Sequence, residues 1–117
     1  HNVREYPDFS TKLNQVLNEA IQQESSYAPR LQRLLGDFYY DREEYNRAAI
    51  EYRKIELLFE DGRMSPETKR KLARSYDAIN DTKKAQSLYQ ELTGETVPRP
   101  LRKEAQQWLD SHADETS

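Results

Sequence analysis

A chain of 117 residues has room for one domain with a buried core, but not for two independent ones. It has no Cys, which excludes disulfide frameworks, thiolate metal sites and a Cys nucleophile. Its net charge of -3 is too small for the footprint of a polyanion binder or for a strongly acidic surface, so any electrostatic reading must be local. Hydrophobic residues at 35% and charged residues at 33% would suit a disordered tail if the apolar positions were scattered. Instead the aromatics, eight Tyr among them, recur at helical spacing. That pattern predicts a thin, elongated helical array.

In residues 10–24, Leu13, Leu17, Ala20 and Ile21 form one apolar stripe, which predicts the last helix of a preceding hairpin or an N-terminal cap. Two longer segments follow, 27–61 and 66–94, and they repeat each other at an offset of 37 residues. The offset pairs Arg33 with Arg70, Leu35 with Leu72, Gly36 with Ala73, and Tyr39 with Tyr76. It continues through Ala48 with Ala85, Tyr52 with Tyr89, and Ile55 with Leu92. Each triplet advances by three or four residues, so each segment predicts two successive helices with one buried stripe apiece. The small residues have a mechanical purpose: Gly36 or Ala73 on one helix and Ala48 or Ala85 on the next let the axes close while Tyr rings fill the space beside them.

Punctuation agrees with this partition. Ser65-Pro66 opens a helix, Gly62 and Gly94 follow the ends of the two second helices, and Pro98 with Pro100 resets the chain. In residues 99–112, Leu101, Ala105, Trp108, Leu109 and His112 line one face, and Arg102, Lys103, Gln106, Gln107 and Asp110 the other, as in a capping helix. About six helices are expected, in an all-α chain read as one domain over 1–117 and as a piece of a longer array.

The run Leu35-Gly36 through Tyr39, Ala48 and Tyr52 resembles a tetratricopeptide repeat, and Leu72-Ala73 through Tyr76, Ala85 and Tyr89 is similar to a second. Gln32 and Lys69 stand where that family usually has a large residue, and Glu43 and Asn80 where it usually has Gly between the helices. About three extra residues are expected near 60–64. The resemblance implies an α-solenoid of antiparallel helical hairpins in right-handed superhelical stacking.

In that family the first helices of successive hairpins line a concave, ligand-bearing face. The resemblance therefore implies partner-binding roles for Arg30, Arg33, Asp37 and Tyr40, for Arg70, Arg74 and Asp77, and for Arg99 and Arg102. Arg suits such a face because its planar donors grip carboxylates bidentately, so an acidic or C-terminal segment is the expected ligand. Some members clamp a terminal carboxylate with basic and Asn side chains. Arg33 and Lys71 correspond to parts of that clamp, but Asp37 stands in place of an amide, so the clamp is not carried over.

Leu57, Leu58, Phe59 and Met64 are expected mainly in the core, and any left exposed would mark a contact site, as would Tyr27, Tyr40 and Tyr45. Catalysis is not expected. His1 and His112 have no second ligand at metal spacing, Gly36, Gly62 and Gly94 are too far apart to cradle a phosphate, and Glu43-Glu44 is an ordinary solvated pair. No cofactor is expected. The apolar cluster Leu57-Leu58-Phe59 falls far short of the roughly 18 residues that cross a bilayer, so this piece is not expected to insert into a membrane. Asp37, Asp41 and Asp77 interrupt any basic track, which argues against nucleic acid.

The expected function is therefore a protein-protein interaction scaffold. The Tyr- and Gln-rich, Cys-free character is also similar to tetratricopeptide regions of bacterial exopolysaccharide export proteins. That resemblance implies a periplasmic platform that docks a polysaccharide-modifying enzyme, with the cytoplasm as the alternative location. The competing readings are homo-oligomerisation through the first and last helices and, with less in its favour, single-stranded nucleic-acid binding.

Overall fold

The computed structural model describes residues 2–60 and 62–113, with side chains from Phe9 onward. His1 and Asp61, on which sequence expectations also fall, lie outside them. Among the described residues there are six α-helices and no strand: α1 (Asn2–Gln22), α2 (Ala28–Asp41), α3 (Tyr45–Leu58), α4 (Pro66–Ala78), α5 (Thr82–Glu91) and α6 (Arg99–Ser111). The chain forms two compact units, His1–Gly62 and Arg63–Ser117, with three of these helices in each.

In the first unit α1, α2 and α3 run antiparallel in sequence. Leu13, Leu17 and Leu35 make a buried cluster between α1 and α2, and Leu31, Tyr39 and Phe59 pack against it. Phe59 leaves α3 in extended conformation (φ -123°, ψ 124°), and this bend brings its ring to the cluster. Gly36 and Tyr52 set the closeness of α2 to α3: a Cβ at Gly36 would meet Cδ1 and Cε1 of Tyr52 at 2.5 and 2.6 Å. Ala48, Tyr52 and Ile55 are buried on the α3 side. Gln32, at the position expected for a large apolar residue, is buried too, and its Nε2 donates to the Glu51 carbonyl (2.9 Å) and to Glu51 Oε1 (2.8 Å). A buried amide with both hydrogens used carries little penalty.

In the second unit α4 and α5 form the hairpin, and α6 folds back on both. Leu72, Ala73, Tyr76, Ala85, Tyr89 and Leu92 are buried, as the repeat requires. Lys69, the counterpart of Gln32, bridges the hairpin to Glu91 at 3.0 Å. The Tyr89 ring stacks on Trp108 of α6, with centroids 4.7 Å apart. Trp108 in turn stacks on His112 at 3.9 Å, and His112 Nδ1 donates to the Trp108 carbonyl at 2.8 Å.

The two hairpins turn in the same way. Glu43 (φ 60°) and Asn80 (φ 65°) take the left-handed conformation, and each is followed by a residue of nearly identical geometry, Glu44 (φ -90°, ψ 72°) and Asp81 (φ -92°, ψ 73°). The Glu44 N–H reaches back to the Tyr39 carbonyl and the Asp81 N–H to that of Tyr76, while Glu43 and Asn80 bond Tyr40 and Asp77. These are Schellman closures, and they satisfy the carbonyls left open at a helix end. The end of α1 does the same through Glu24 (φ 52°), with Ser25 N–H to Ala20 O. Ser65 caps α4 by accepting from Thr68 N–H (3.2 Å), and Asp81 caps α5 by accepting from Lys84 N–H (3.4 Å).

Gly62 and Gly94 follow the ends of α3 and α5, as expected, but among the described residues no glycine has a positive φ; the left-handed positions belong to Glu24, Glu43 and Asn80, which close α1, α2 and α4. Gly62 is instead constrained by close approach, since a Cβ there would collide with the Ile55 carbonyl oxygen. Ile21, expected on the buried stripe of α1, is exposed, while Leu13, Leu17 and Ala20 are buried.

Candidate functional site

Arg33 of the first hairpin is committed within it. Arg33 Nη1 donates to Asp37 Oδ2 (3.0 Å) one turn along α2, and the other oxygen of Asp37 accepts a short hydrogen bond from the Tyr52 hydroxyl. Burial pushes the Tyr52 phenol far above its ordinary pKa, and the bond to Asp37 and that carboxylate's charge push it further. Tyr40 is half-buried and meets Tyr45 edge-on, with centroids 5.7 Å apart. Arg30 lies over the exposed Tyr27 ring at 5.9 Å, which suits a weak cation–π contact.

The cations of α4 are committed as well. Arg74 grips Glu104 of α6 with two bonds, Nε to Oε2 and Nη2 to Oε1, both 2.8 Å. Arg70 pairs with Glu67 at 2.7 Å and lies 3.8 Å from the same Glu104. Arg33, Arg70 and Arg74, expected on a partner-binding face, thus meet carboxylates of the chain itself. Each already holds a carboxylate, and bidentate pairing of Arg74 uses the donors a ligand would need. Asp77 is half-buried at the end of α4, where its carbonyl closes the turn to Asn80.

The start of α6 differs. Arg99, Arg102 and Lys103 have no ion pair among the described residues, and with Thr93, Pro100 and Gln106 they line an open concavity of about 900 Å³. No carboxylate lines it. Positions 99, 102, 103 and 106 fall at helical spacing on the side away from buried Leu101, Ala105 and Trp108. The first turn of α6 has no acidic residue and no side-chain cap, so these cations sit at the positive end of a helix dipole without compensation. Arg102 Nε is buried without a hydrogen-bond partner, as is Arg70 Nε on α4. Such an arrangement is stabilised by an incoming anion.

A second concavity, of about 440 Å³, lies between α1 and α2. Val16, Ala20, Tyr27, Leu31 and Leu34 line it, with Glu19 and Arg30 at its rim. Val16 (48%), Leu34 (44%) and Tyr27 (63%) are exposed there. Of the cluster expected mainly in the core, Met64 is buried and Phe59 packs, but Leu57 (68%) and Leu58 (57%) face solvent.

Sequence reasoning missed the pairing role of Glu104, and it placed Lys103 with Arg102 on the polar face of α6 without counting Lys103 among the partner-binding residues. It also missed the groove beside Val16. A signal for the last was available: Val16 and Glu19 share a helical face with buried Ala20. Among the described residues no three His, Cys, Asp or Glu side chains are grouped to hold a metal ion, and no helix is long and apolar enough to cross a membrane. Comparison with known protein families, with curated proteins and with solved structures finds no match.

Proposed function

We propose that this chain is a protein-binding scaffold of tetratricopeptide-type hairpins, stacked as a right-handed solenoid, and that it receives an acidic segment of a partner at the start of α6. The observation that carries this reading is the contrast among the arginines. Arg33, Arg70 and Arg74 are neutralised by Asp37, Glu67 and Glu104, whereas Arg99, Arg102 and Lys103 line a concavity with no acid in it. From Arg99 to Gln106 the face extends about 10 Å at ~1.5 Å per residue, the reach of roughly three residues of extended peptide at ~3.3 Å each. A short run of carboxylates matches three cations. No aromatic ring lines the concavity, so a single-stranded nucleic acid would find no stacking platform.

In keeping with the resemblance to export-protein repeats, the reading extends to a bacterial periplasmic platform whose partner is a polysaccharide-modifying enzyme. Binding rather than chemistry is the role proposed for the chain itself.

The test is fluorescence polarisation with a labelled Glu-rich peptide, a neutral Gln-rich peptide and a labelled single-stranded oligonucleotide, each titrated with the chain. The acidic peptide is expected to bind, to weaken as salt rises, and to lose at least tenfold in affinity in R99E/R102E/K103E. Equal binding of that triple variant, or preference for the oligonucleotide, would remove the reading.

A further inference from the structure

The first helices of the two hairpins and α6 share one register. An offset of 37 residues carries Pro29, Arg33, Gly36 and Tyr39 of α2 onto Pro66, Arg70, Ala73 and Tyr76 of α4, and a further offset of 32 carries these onto Pro98, Arg102, Ala105 and Trp108 at α6. The small residue is buried in every copy, which fixes the helix face on which the arginine sits.

Arg33, Arg70 and Arg102 are therefore equivalent positions, and on a helix each faces the side chains three and four residues away. Arg33 finds Asp37 four residues on, at 3.0 Å. Arg70 finds Glu67 three residues back, at 2.7 Å. Arg102 finds no acid at either place: Arg99 stands three back and Gln106 four on, and Arg102 has no ion pair among the described residues. The two acids of α6 are engaged elsewhere, Glu104 with Arg74 and Asp110 with the Gln106 amide at 2.9 Å.

Burial decides how Arg102 presents its charge. Arg74 holds Glu104 side-on, through Nε and Nη2 together. On Arg102 that edge is closed, because Nε is buried without a hydrogen-bond partner, and the two Nη groups are left for a ligand. Arg70, whose Nε is buried in the same way, shows this end-on use: Nη2 takes Glu67, and Nη1 lies 3.8 Å from Glu104.

We infer that Arg102 is the specificity-determining residue of the α6 acceptor. Its Nη groups hold one carboxylate of the ligand end-on, in the place that Glu67 takes on Arg70, and Arg99 flanks that carboxylate from the position where α4 carries its acid. The inference rests on the reading of the α6 concavity as an acceptor of acidic segments. A planar guanidinium matches the two oxygens of a carboxylate, whereas an ammonium on a flexible stem, as at Lys103, adds attraction without fixing register. The ligand class narrows to a segment with one carboxylate seated between Arg99 and Arg102 and further acids toward Lys103.

The experiment uses the whole chain and the labelled Glu-rich peptide, with the charge of the site held constant. Arg99→Lys, Arg102→Lys and Lys103→Arg are compared by polarisation across a salt series, each checked by circular dichroism. Arg102→Lys is expected to lose about tenfold in affinity with its salt dependence unchanged, and the other two to stay within about threefold. In the natural chain, arginine side-chain NMR is expected to show the Arg102 Nη protons shifting and sharpening as peptide is added while its Nε–H stays in place, a readout that does not depend on the stability of Arg102→Lys. Indistinguishable affinities in the three charge-conserving variants, or peptide-dependent shifts at Arg99 with none at Arg102, would overturn the assignment while leaving an acidic-peptide site in place. No binding of the peptide to the natural chain would remove the site itself, and the assignment with it.

Discussion

The two units close the same hairpin by different means. In the first, Gly36 lets the Tyr52 ring lie directly on the α2 backbone, and the phenol is then fixed by Asp37, which also holds Arg33. In the second, Ala73 occupies the small position and Tyr89 is held by stacking on Trp108. The Tyr ring of the first hairpin is thus fixed by a part-buried hydrogen bond to Asp37, and that of the second stacks on a third helix. The comparison teaches that the small-residue and Tyr positions are fixed by helix approach, while the groups around them decide where charge is used. Asp37 absorbs Arg33, and Glu67 and Glu104 absorb Arg70 and Arg74, whereas no carboxylate lines the concavity at the start of α6.

The largest expected break in this comparison is Gly36→Ala. Its methyl group overlaps the Tyr52 ring, and such overpacking costs about 1–3 kcal/mol, more than the roughly 0.5–1 kcal/mol gained in helix propensity. Urea denaturation is expected to show a net loss, with native-state hydrogen exchange rising in α2 and α3. A variant as stable as the natural chain would mean that Tyr52 can move aside.

Tyr52→Phe comes next, with a loss of about 1.5 kcal/mol, because a carboxylate loses a donor and the remaining Arg33 contact is partly solvated. The same residue gives an alkaline signature. Its folded pKa is raised, so its contribution is fully present below the unfolded value of about 10 and is lost as pH climbs above that value. Thermal melts from pH 9 to 11.5 are expected to fall more steeply for the natural chain than for Tyr52→Phe. Parallel slopes would show that the hydroxyl is not desolvated.

A smaller effect, about 1 kcal/mol, is expected for Ser65→Ala, which removes the cap from Thr68 N–H, and it should localise to α4 in hydrogen exchange. Smallest in stability is Glu104→Gln. Its pairs are partly exposed, so the change should stay within about 1 kcal/mol. Because Glu104, Arg70 and Arg74 do not line the α6 concavity, acidic-peptide affinity is expected to change little, and a severalfold rise would show that α4 takes part in the acceptor.

Most of the helical partition could be read from the sequence because its markers are steric. Leu35-Gly36-Tyr39 and Leu72-Ala73-Tyr76 announce a close helix contact at helical spacing, and that contact exists. The interhelical turns were less legible. Glu43 and Asn80 adopt a conformation that glycine takes more readily, in keeping with their standing where the resembled family has Gly, whereas nothing in the sequence marked Glu24 for the same conformation. Arg33–Asp37 and Arg70–Glu67 pair at local helical spacing, but the fate of Arg74 was not legible. Glu104 meets Arg74 across 30 residues of sequence, and nothing local in α6 marks it as the partner of α4. Leu57 and Leu58 misled for a related reason: an apolar run shows no facing until the end of α3 is placed.

The most direct measurement sets the two cation groups against each other. Binding of the Glu-rich peptide is measured by calorimetry at low and high salt for the natural chain, for R99E/K103E and for R70E/R74E. Expected is a loss of at least tenfold, with a flattened salt dependence, in R99E/K103E, and a much smaller change in R70E/R74E, whose cations are already bound to Glu67 and Glu104. If R70E/R74E lost binding while R99E/K103E kept it, α4 and not the start of α6 would be the acceptor, and the proposed site would be wrong.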